Sequence, residues 1–389
     1  MKLSSLSPAI RLAPALLLLA LTAGCFKSEI SANLMFVKAV GIDYDEESKD
    51  YTVYVQMLDF SNEAKRESAP GSENATPIWT GKGKAKDINM AFSQMYESSQ
   101  MRMSFTHVSA LLLSRKAKEH MTSYDYREVL GAHPEVRFNI WIYGTQESLE
   151  DIFTAKGFFN LSDTTTLLHM PEESYKQQSL IQPVYLFRFL REVNHPALTA
   201  YVPELSLDKK SWKLMEKPSS KMKVDGACFY RGGKFAGMLT EEQLEGWTWM
   251  NPNMKNKLFM VKKGALDLGT AHMQAPKVKI GLKLDAQGRP RYHARVSIKG
   301  IQQTMMEPIA MKEMEEFAAG QIKRQIEAVY RNALAIEADP FGLEEIMYRK
   351  HPGRWKQLTR DGKEYMLRKD SFDVEVAVDL QTSGKYKPL

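Results

Sequence analysis

Between Val278 and Leu380 the spacing of apolar residues changes twice, and that succession of periods restricts the fold. Val278, Ile280, Leu282 and Leu284 alternate with polar neighbours, Gln287-Gly288-Arg289-Pro290 interrupts, and Tyr292, Ala294, Val296 and Ile298 alternate again. Two period-two runs about a glycine-containing break predict two antiparallel strands, each buried on one face. From Pro308 to Ala338 the apolar residues Met314, Phe317, Ala318, Ile322, Ile326, Val329, Tyr330, Ala333 and Leu334 fall three and four apart. That spacing makes one stripe on a long helix. Pro308 suits a first helical turn, and Asp339-Pro340 stops the helix. Phe372, Val374, Val376, Val378 and Leu380 then alternate as a half-buried strand. A one-faced sheet and a one-striped helix bury their apolar sides against each other. The expected fold class is α+β, with a C-terminal domain over 266–389 built as an antiparallel sheet with one long helix packed on it.

The other end of the chain is of a different kind. Lys2 and Arg11 are the only charges before an apolar run, Leu12 to Ala23, broken by Pro14 and Thr22. A membrane-spanning helix needs about 20 residues, so this run is too short to span. It reads as a secretory signal over residues 1–24. Thr22-Ala23-Gly24-Cys25 then places a cysteine directly after small residues, which resembles a bacterial lipobox; Leu21 stands four places before the cysteine rather than the usual three. Cys25 is the predicted lipidation site, carrying a diacylglyceryl group as the one attached group expected. Two acyl chains suffice for stable anchoring. No other apolar run reaches 18 residues.

Between these ends, Met35–Ile42 and the alternating Tyr51, Val53, Val55 and Met57 predict a hairpin, followed by a polar loop over 61–77. Asp87 can cap a helix running to about Gln100, and helices are expected near 116–131 and 146–155. His107–Leu113 reads as a buried strand, and Val136, Phe138, Ile140 and Ile142 alternate as another. These elements make an N-terminal α+β domain over 25–205. The proline-rich stretch 156–220 is expected to be irregular. Val224–Leu239 reads as a hairpin turning at Gly232-Gly233, the centre of a small middle domain over 206–265. With the C-terminal unit, three domains follow the signal segment.

Composition and motifs exclude more than they suggest. With 43% hydrophobic and 26% charged residues among 389, the chain is neither mainly disordered nor a multi-span membrane protein. The net charge of +6 is scattered and does not point to nucleic acid. Two cysteines, Cys25 and Cys228, exclude a disulfide scaffold and a multi-cysteine zinc module. No glycine-lysine pair has the phosphate-loop spacing, and the eight histidines show no ligand spacing, so neither a metal nor a catalytic residue is assigned. Ser206-Leu207-Asp208-Lys209 fits a Ser-x-x-Lys pattern without its companion Lys-Thr-Gly. The acidic run from Asp43 lacks the glycine and terminal glutamate of a calcium loop. Cys228 reads as a small core residue, and Met101, Met103, Met305 and Met306 as core filler. Trp247-Thr248-Trp249-Met250 fits either core packing or an exposed partner patch. The basic residues of Arg349–Lys356 fit either a solvated face or one turned to anionic headgroups.

Several segments, taken in order, resemble one family, the Ger(x)C lipoproteins, which are the C subunits of spore nutrient-germinant receptors. They are Gly24-Cys25-Phe26, Glu29, Gly41-Ile42-Asp43, Thr106-His107-Val108, Asp225–Phe229 with Lys234–Leu239 and Glu242, and Ala338-Asp339-Pro340-Phe341-Gly342 with Tyr348–Pro352 and Trp355-Lys356. Phe26 stands where the family usually has Trp, and Thr106 where it has Gly. The resemblance implies three α+β domains, no enzyme active site and a place on the outer face of the spore inner membrane. It implies assembly with the A and B membrane subunits of the receptor, with a small-molecule germinant met only through the complex. Asp339, Phe341, Gly342 and Trp355 are expected to be structural, closing the long helix and seating the last strand; no germinant-binding residues carry over. A solute-binding lipoprotein of a transport system is the alternative, and it predicts two lobes of alternating strand and helix.

Overall fold

The computed structural model describes residues 34–58, 77–131, 133–158 and 163–382. The signal segment, Cys25, Phe26, Glu29 and most of the polar loop over 61–77 lie outside the described residues. The chain opens with β1 (Leu34–Asp45), β2 (Asp50–Leu58), β3 (Trp79–Ala85), α1 (Ile88–Tyr96), β4 (Arg102–Ser104), β5 (Ala110–Leu113), α2 (Arg115–His120) and α3 (Ser123–Gly131). It continues through β6 (Trp141–Thr145), α4 (Leu149–Thr154), α5 (Pro171–Gln177), α6 (Leu186–Val193) and β7 (Thr199–Asp208). A two-residue ladder, β8 (Lys213–Leu214) with β9 (Lys217–Pro218), leads to β10 (Lys221–Arg231) and β11 (Lys234–Thr240).

These strands form one sheet in the order β11-β10-β7-β6-β5-β1-β2-β3, with β4 beside the start of β1. Strands β1, β5, β6 and β7 are mutually parallel, and an antiparallel hairpin flanks them on each side. Ala110-Leu111-Leu112-Leu113 is apolar throughout because both faces are covered. Leu111 and Leu113 enter one core with Phe92 and Phe189, while Ala110 and Leu112 enter another with Tyr143 and Phe153. The Asp87 side chain caps α1, accepting from the Asn89 and Met90 amides.

Three expectations change here. Val136–Ile140 is not strand, because its carbonyls are taken by a helix start: the Leu186 and Phe187 amides, orphans at the first turn of α6, donate to Ile140 and Phe138 carbonyls at 2.7 and 3.1 Å. The proline-rich stretch contains β7, the ten-residue strand that joins the parallel centre to the last hairpin. That hairpin turns at Gly232 and Gly233, both at positive φ (56° and 79°), yet it extends the first sheet through β7–β10 pairing. Apart from the β8–β9 ladder, residues 206–265 therefore have no sheet of their own.

The second sheet begins with β12 (Lys257–Lys263) and β13 (Leu266–Met273), which the alternation does not single out, and continues with β14 (Lys277–Leu284) and β15 (Pro290–Met305). Helix α7 (Met311–Ala335), α8 (Leu343–Lys350) and α9 (Pro352–Thr359) precede β16 (Phe372–Thr382). The pairings β12–β13, β13–β15 and β14–β15 are antiparallel, the last as the sequence predicts; β16 is parallel to β15. The helical crossover between them returns the chain in the same direction. Met314, Ala318, Ile322 and Ile326 of α7 pack on Val261, Ala271, Ala294, Val296 and Val374. Met103 is buried, whereas Met101, Met305 and Met306 are exposed, because they stand at or just beyond the strand ends rather than between layers.

The Trp247–Met250 turn packs inward. Trp249 is fully buried and its Nε1 donates to Gln325 Oε1 at 2.8 Å. Gly246 precedes it so close to α7 that a Cβ there would collide with the Gln325 backbone. Gly246→Ala should cost about 1–3 kcal/mol through overpacking. Urea unfolding measures this, and an unchanged midpoint would show that the turn is not clamped to α7.

Candidate functional site

Two buried charge clusters are the chemically richest places in the fold. The first lies under α2. The Ser114 hydroxyl accepts from the Ala117 amide at 3.1 Å and also bonds Asp43, so the helix starts directly after β5. One turn in, Lys118 drops onto the sheet and its Nζ meets Glu204 Oε1 and Oε2 at 2.5 and 2.6 Å. Both side chains are buried. Glu204 of β7 faces Gly144 of β6 and Gly226 of β10 in register. A Cβ on Gly144 would collide with the Glu204 carboxylate and the Lys118 stem, so glycine provides the room for the pair. Cys228 Sγ donates to Glu204 Oε2 at 3.1 Å. Burial, then the Glu204 charge, pushes its thiol far above the ordinary value. Held as a thiol, Cys228 is not a nucleophile. A cleft of about 230 Å³ reaches this cluster, lined by Arg115, Lys118, Glu119, Gln146, Cys228, Phe235 and Met238. Its floor presents polar groups already paired with one another.

The second cluster gathers the residues predicted from the sequence. Asp339 follows α7, Gly342 takes positive φ (69°) at the start of α8, and the Asp339 carboxylate accepts the Phe341 and Glu344 amides at 3.3 and 2.7 Å. The Asp339 amide donates to Thr199 Oγ1 at 3.0 Å, tying the turn to β7. Phe341 stacks near Tyr330 and Phe372, the first residue of β16. Trp355 of α9 is buried beside Tyr348, in the cluster that holds Tyr292, Tyr330, Leu343 and Met347 and against which Phe341 and Phe372 pack. Glu344 is also buried. Its Oε2 stands 3.5 Å from Arg231 Nε at the end of β10, and its Oε1 accepts the Met366 amide. The Arg231 guanidinium lies over the Tyr365 ring, whose hydroxyl donates to the Ala338 carbonyl at 2.7 Å. Burial first, then the neighbouring Glu344 charge, pushes the Asp339 carboxyl up to about 7. Glu344 is likewise raised by burial, opposed by Arg231.

Neither cluster forms an acid–base or nucleophile set. His169, bonded to Ser109 and Gln56 at 2.7 and 2.9 Å, is driven down to about 3 by burial and stays neutral. Among the described residues no three His, Cys, Asp or Glu side chains converge on a metal position, and no helix is long and apolar enough to cross a membrane. The sequence reading names Asp339, Phe341 and Gly342, which the structure places in one turn. It missed Lys118, Glu204, Arg231 and Glu344, whose partners are remote in sequence; the only local signal was a lone glutamate inside the apolar run Ala200–Leu205.

Two outcomes follow from this geometry. Lys118→Met alone leaves an uncompensated buried carboxylate and should cost about 3–5 kcal/mol, whereas Lys118→Met with Glu204→Leu should recover most of the loss. A double-mutant cycle in urea tests it; additive losses would show that the pair is not coupled. Because the native state holds the Asp339 proton more tightly than the unfolded chain, stability present at acidic pH is lost as pH rises toward 7. Asp339→Asn should therefore flatten the change in melting temperature between pH 5 and pH 8. An equal slope in both proteins would place the titration elsewhere.

Comparison with known proteins shows two matched regions. A family model described as the spore germination protein N-terminal domain matches residues 28–207. A second, described as spore germination B3/GerAC-like, C-terminal, matches residues 225–384. The chain is 20% identical over 387 residues to spore germination protein KC of Bacillus subtilis (strain 168), covering 93% of this chain and 92% of that protein. It also shares its fold with the crystal structure of the GerBC protein, with a TM-score of 0.54 at 16% identity over 89% of this chain and 98% of that one.

Proposed function

This chain belongs to the GerAC-like spore germination family, and on that premise we propose that it is the lipid-anchored, non-enzymatic C subunit of a spore nutrient-germinant receptor. The observation that carries the reading is one of order: a short apolar segment ends at Ala23-Gly24-Cys25, and both family regions follow directly, at 28–207 and 225–384. Thioether formation at Cys25 Sγ gives the mature chain two acyl chains, enough for stable attachment. Tethering confines the folded body to the neighbourhood of the membrane and raises its effective concentration toward membrane-embedded partners. Those partners are the A and B subunits, this chain lies on the outer face of the spore inner membrane, and the small-molecule germinant acts through the assembly. The buried clusters support a non-enzymatic role, since their charges are spent on one another rather than offered to a substrate.

Tagged protein purified from detergent-solubilised spore inner membranes should bring down an A and a B subunit, identified by mass spectrometry. Recovery of permease and ATPase subunits instead would favour a transport lipoprotein. Cys25→Ala should leave the body folded and release it from membranes; retention after a high-salt wash would show that the lipid is not the sole anchor.

A further inference from the structure

The parallel strands β1, β5, β6 and β7 all begin at one end of the first sheet. Leu34 opens β1 there, in register with Arg102 of β4. Large apolar side chains stand in solvent at this end, among them Trp79 at the start of β3 (64% exposed), Met101 just before β4 (41%), Phe138 just before β6 (57%) and Phe187 in the first turn of α6 (48%). Register puts Trp141 level with Ala110 and Ala110 level with Ala39, so Phe138, three residues before Trp141, lies toward the starting end of β1. The Phe187 amide donates to the Phe138 carbonyl at 3.1 Å, which brings the two residues together at this end, and the Phe187 ring stacks on Tyr185. Arg137, also exposed, precedes Phe138. Lys38 and Arg137 are both close enough to His107 to reinforce the lowering that burial imposes on its pKa, so positive charge accompanies the patch. Glu135, whose carboxylate accepts the Phe105 amide at 3.4 Å, is the nearby acid.

We propose that this end of the first sheet rests on the membrane, with Phe138, Phe187 and Met101 entering the interfacial layer and Arg137 facing anionic lipid headgroups. The proposal rests on the lipid-anchor reading of Cys25. Cys25 is nine residues before Leu34, a reach of about 30 Å when fully extended. Strand β1 alone has 12 residues, or about 40 Å. With the strands upright, the tether can bring only the Leu34 end to the bilayer. Aromatic side chains beside cations suit the headgroup boundary, where one end of each group is apolar and the other wet. A second exposed apolar group, Trp212, Leu214 and Met215 at the β8–β9 tip, lies beyond the opposite end of β7. It is the internal control.

The test uses the full, membrane-processed chain in vesicles of phosphatidylglycerol and phosphatidylethanolamine. Phe138→Cys, Phe187→Cys and Met215→Cys each introduce one accessible thiol, because lipid occupies Cys25 and Cys228 is buried. All three positions are exposed, so folding is not at risk. Each thiol carries an environment-sensitive fluorophore, and nitroxide lipids read its depth. Quenching should be several-fold greater at 138 and 187 than at 215, and should weaken when phosphatidylglycerol is replaced by a neutral lipid. Equal quenching at all three sites, or stronger quenching at 215, overturns the orientation. Shielding of 138 from iodide only in native membranes, without nitroxide quenching in vesicles, assigns the patch to a protein partner and also overturns it. Intact mass separates the two readings. An unmodified Cys25 refutes the anchor, and quenching at 138 in a Cys25→Ser background, where the introduced thiol is again the one labelled, then supports the orientation; a lipidated chain with 138 in water refutes the orientation alone.

Discussion

Helix α7 buries one continuous stripe against two different cores. Met314, Ala318, Ile322 and Ile326 face the second sheet, and Val329 and Ala333, one and two turns further on, complete the first. Steps of three and four residues keep all six on one side of the helix. Both sheets must therefore meet the same side of one rod, and neither core closes without it. The Gly246 turn fixes the middle of the rod, where backbone meets backbone, and Ile336 closes its end against Gly237 of β11. The matched family regions are thus not separable bodies. Strand β11 and most of β10 come from the second region but complete the sheet of the first. A cut between them would leave β7 as a long unpaired edge, a template for aggregation.

The buried ion pairs sit where this shared construction needs fixed positions. Lys118–Glu204 sets α2 on β7, and Arg231–Glu344 sets the end of β10 on α8. Desolvation offsets most of the attraction within such pairs, so their effect appears chiefly when one partner is lost. A misplaced strand would leave an unpaired charge in the interior. Register is therefore enforced by what the wrong arrangement would cost, while packing of α7 supplies the favourable surface.

What the sequence revealed follows from how each signal is written. The final segment was legible because its period is local: strand, strand, helix and strand can each be read without knowing a partner. The parallel return of β16 was not, since direction depends on where the crossover lands. The alternation of Val136–Ile142 misled because hydrogen bonding overrode periodicity; the start of α6 took the carbonyls a neighbouring strand would have used. Strand β7 was hidden by Pro203, which argues against a central strand. Yet β6 pairs with β7 only at Glu204 and Leu205, so Pro203 stands beyond that ladder.

The same distinction divides the functional residues. The Cys25 signal and the Asp339–Gly342 turn are linear: one is a pattern of neighbours, the other a local capping geometry. Lys118, Glu204, Arg231 and Glu344 acquire meaning only when strands and helices far apart in the chain converge, and each alone resembles an ordinary surface charge. Surface contacts are harder still to read, because a phenylalanine such as Phe138 carries the same apolar letter whether it faces a core or a partner. Its place before β6, outside the last ladder bond and toward the starting end of β1, distinguishes the two. With the charges of the Lys118–Glu204 cleft already paired, such positions outside the strand ends are where contact with other molecules can be made without disturbing either core.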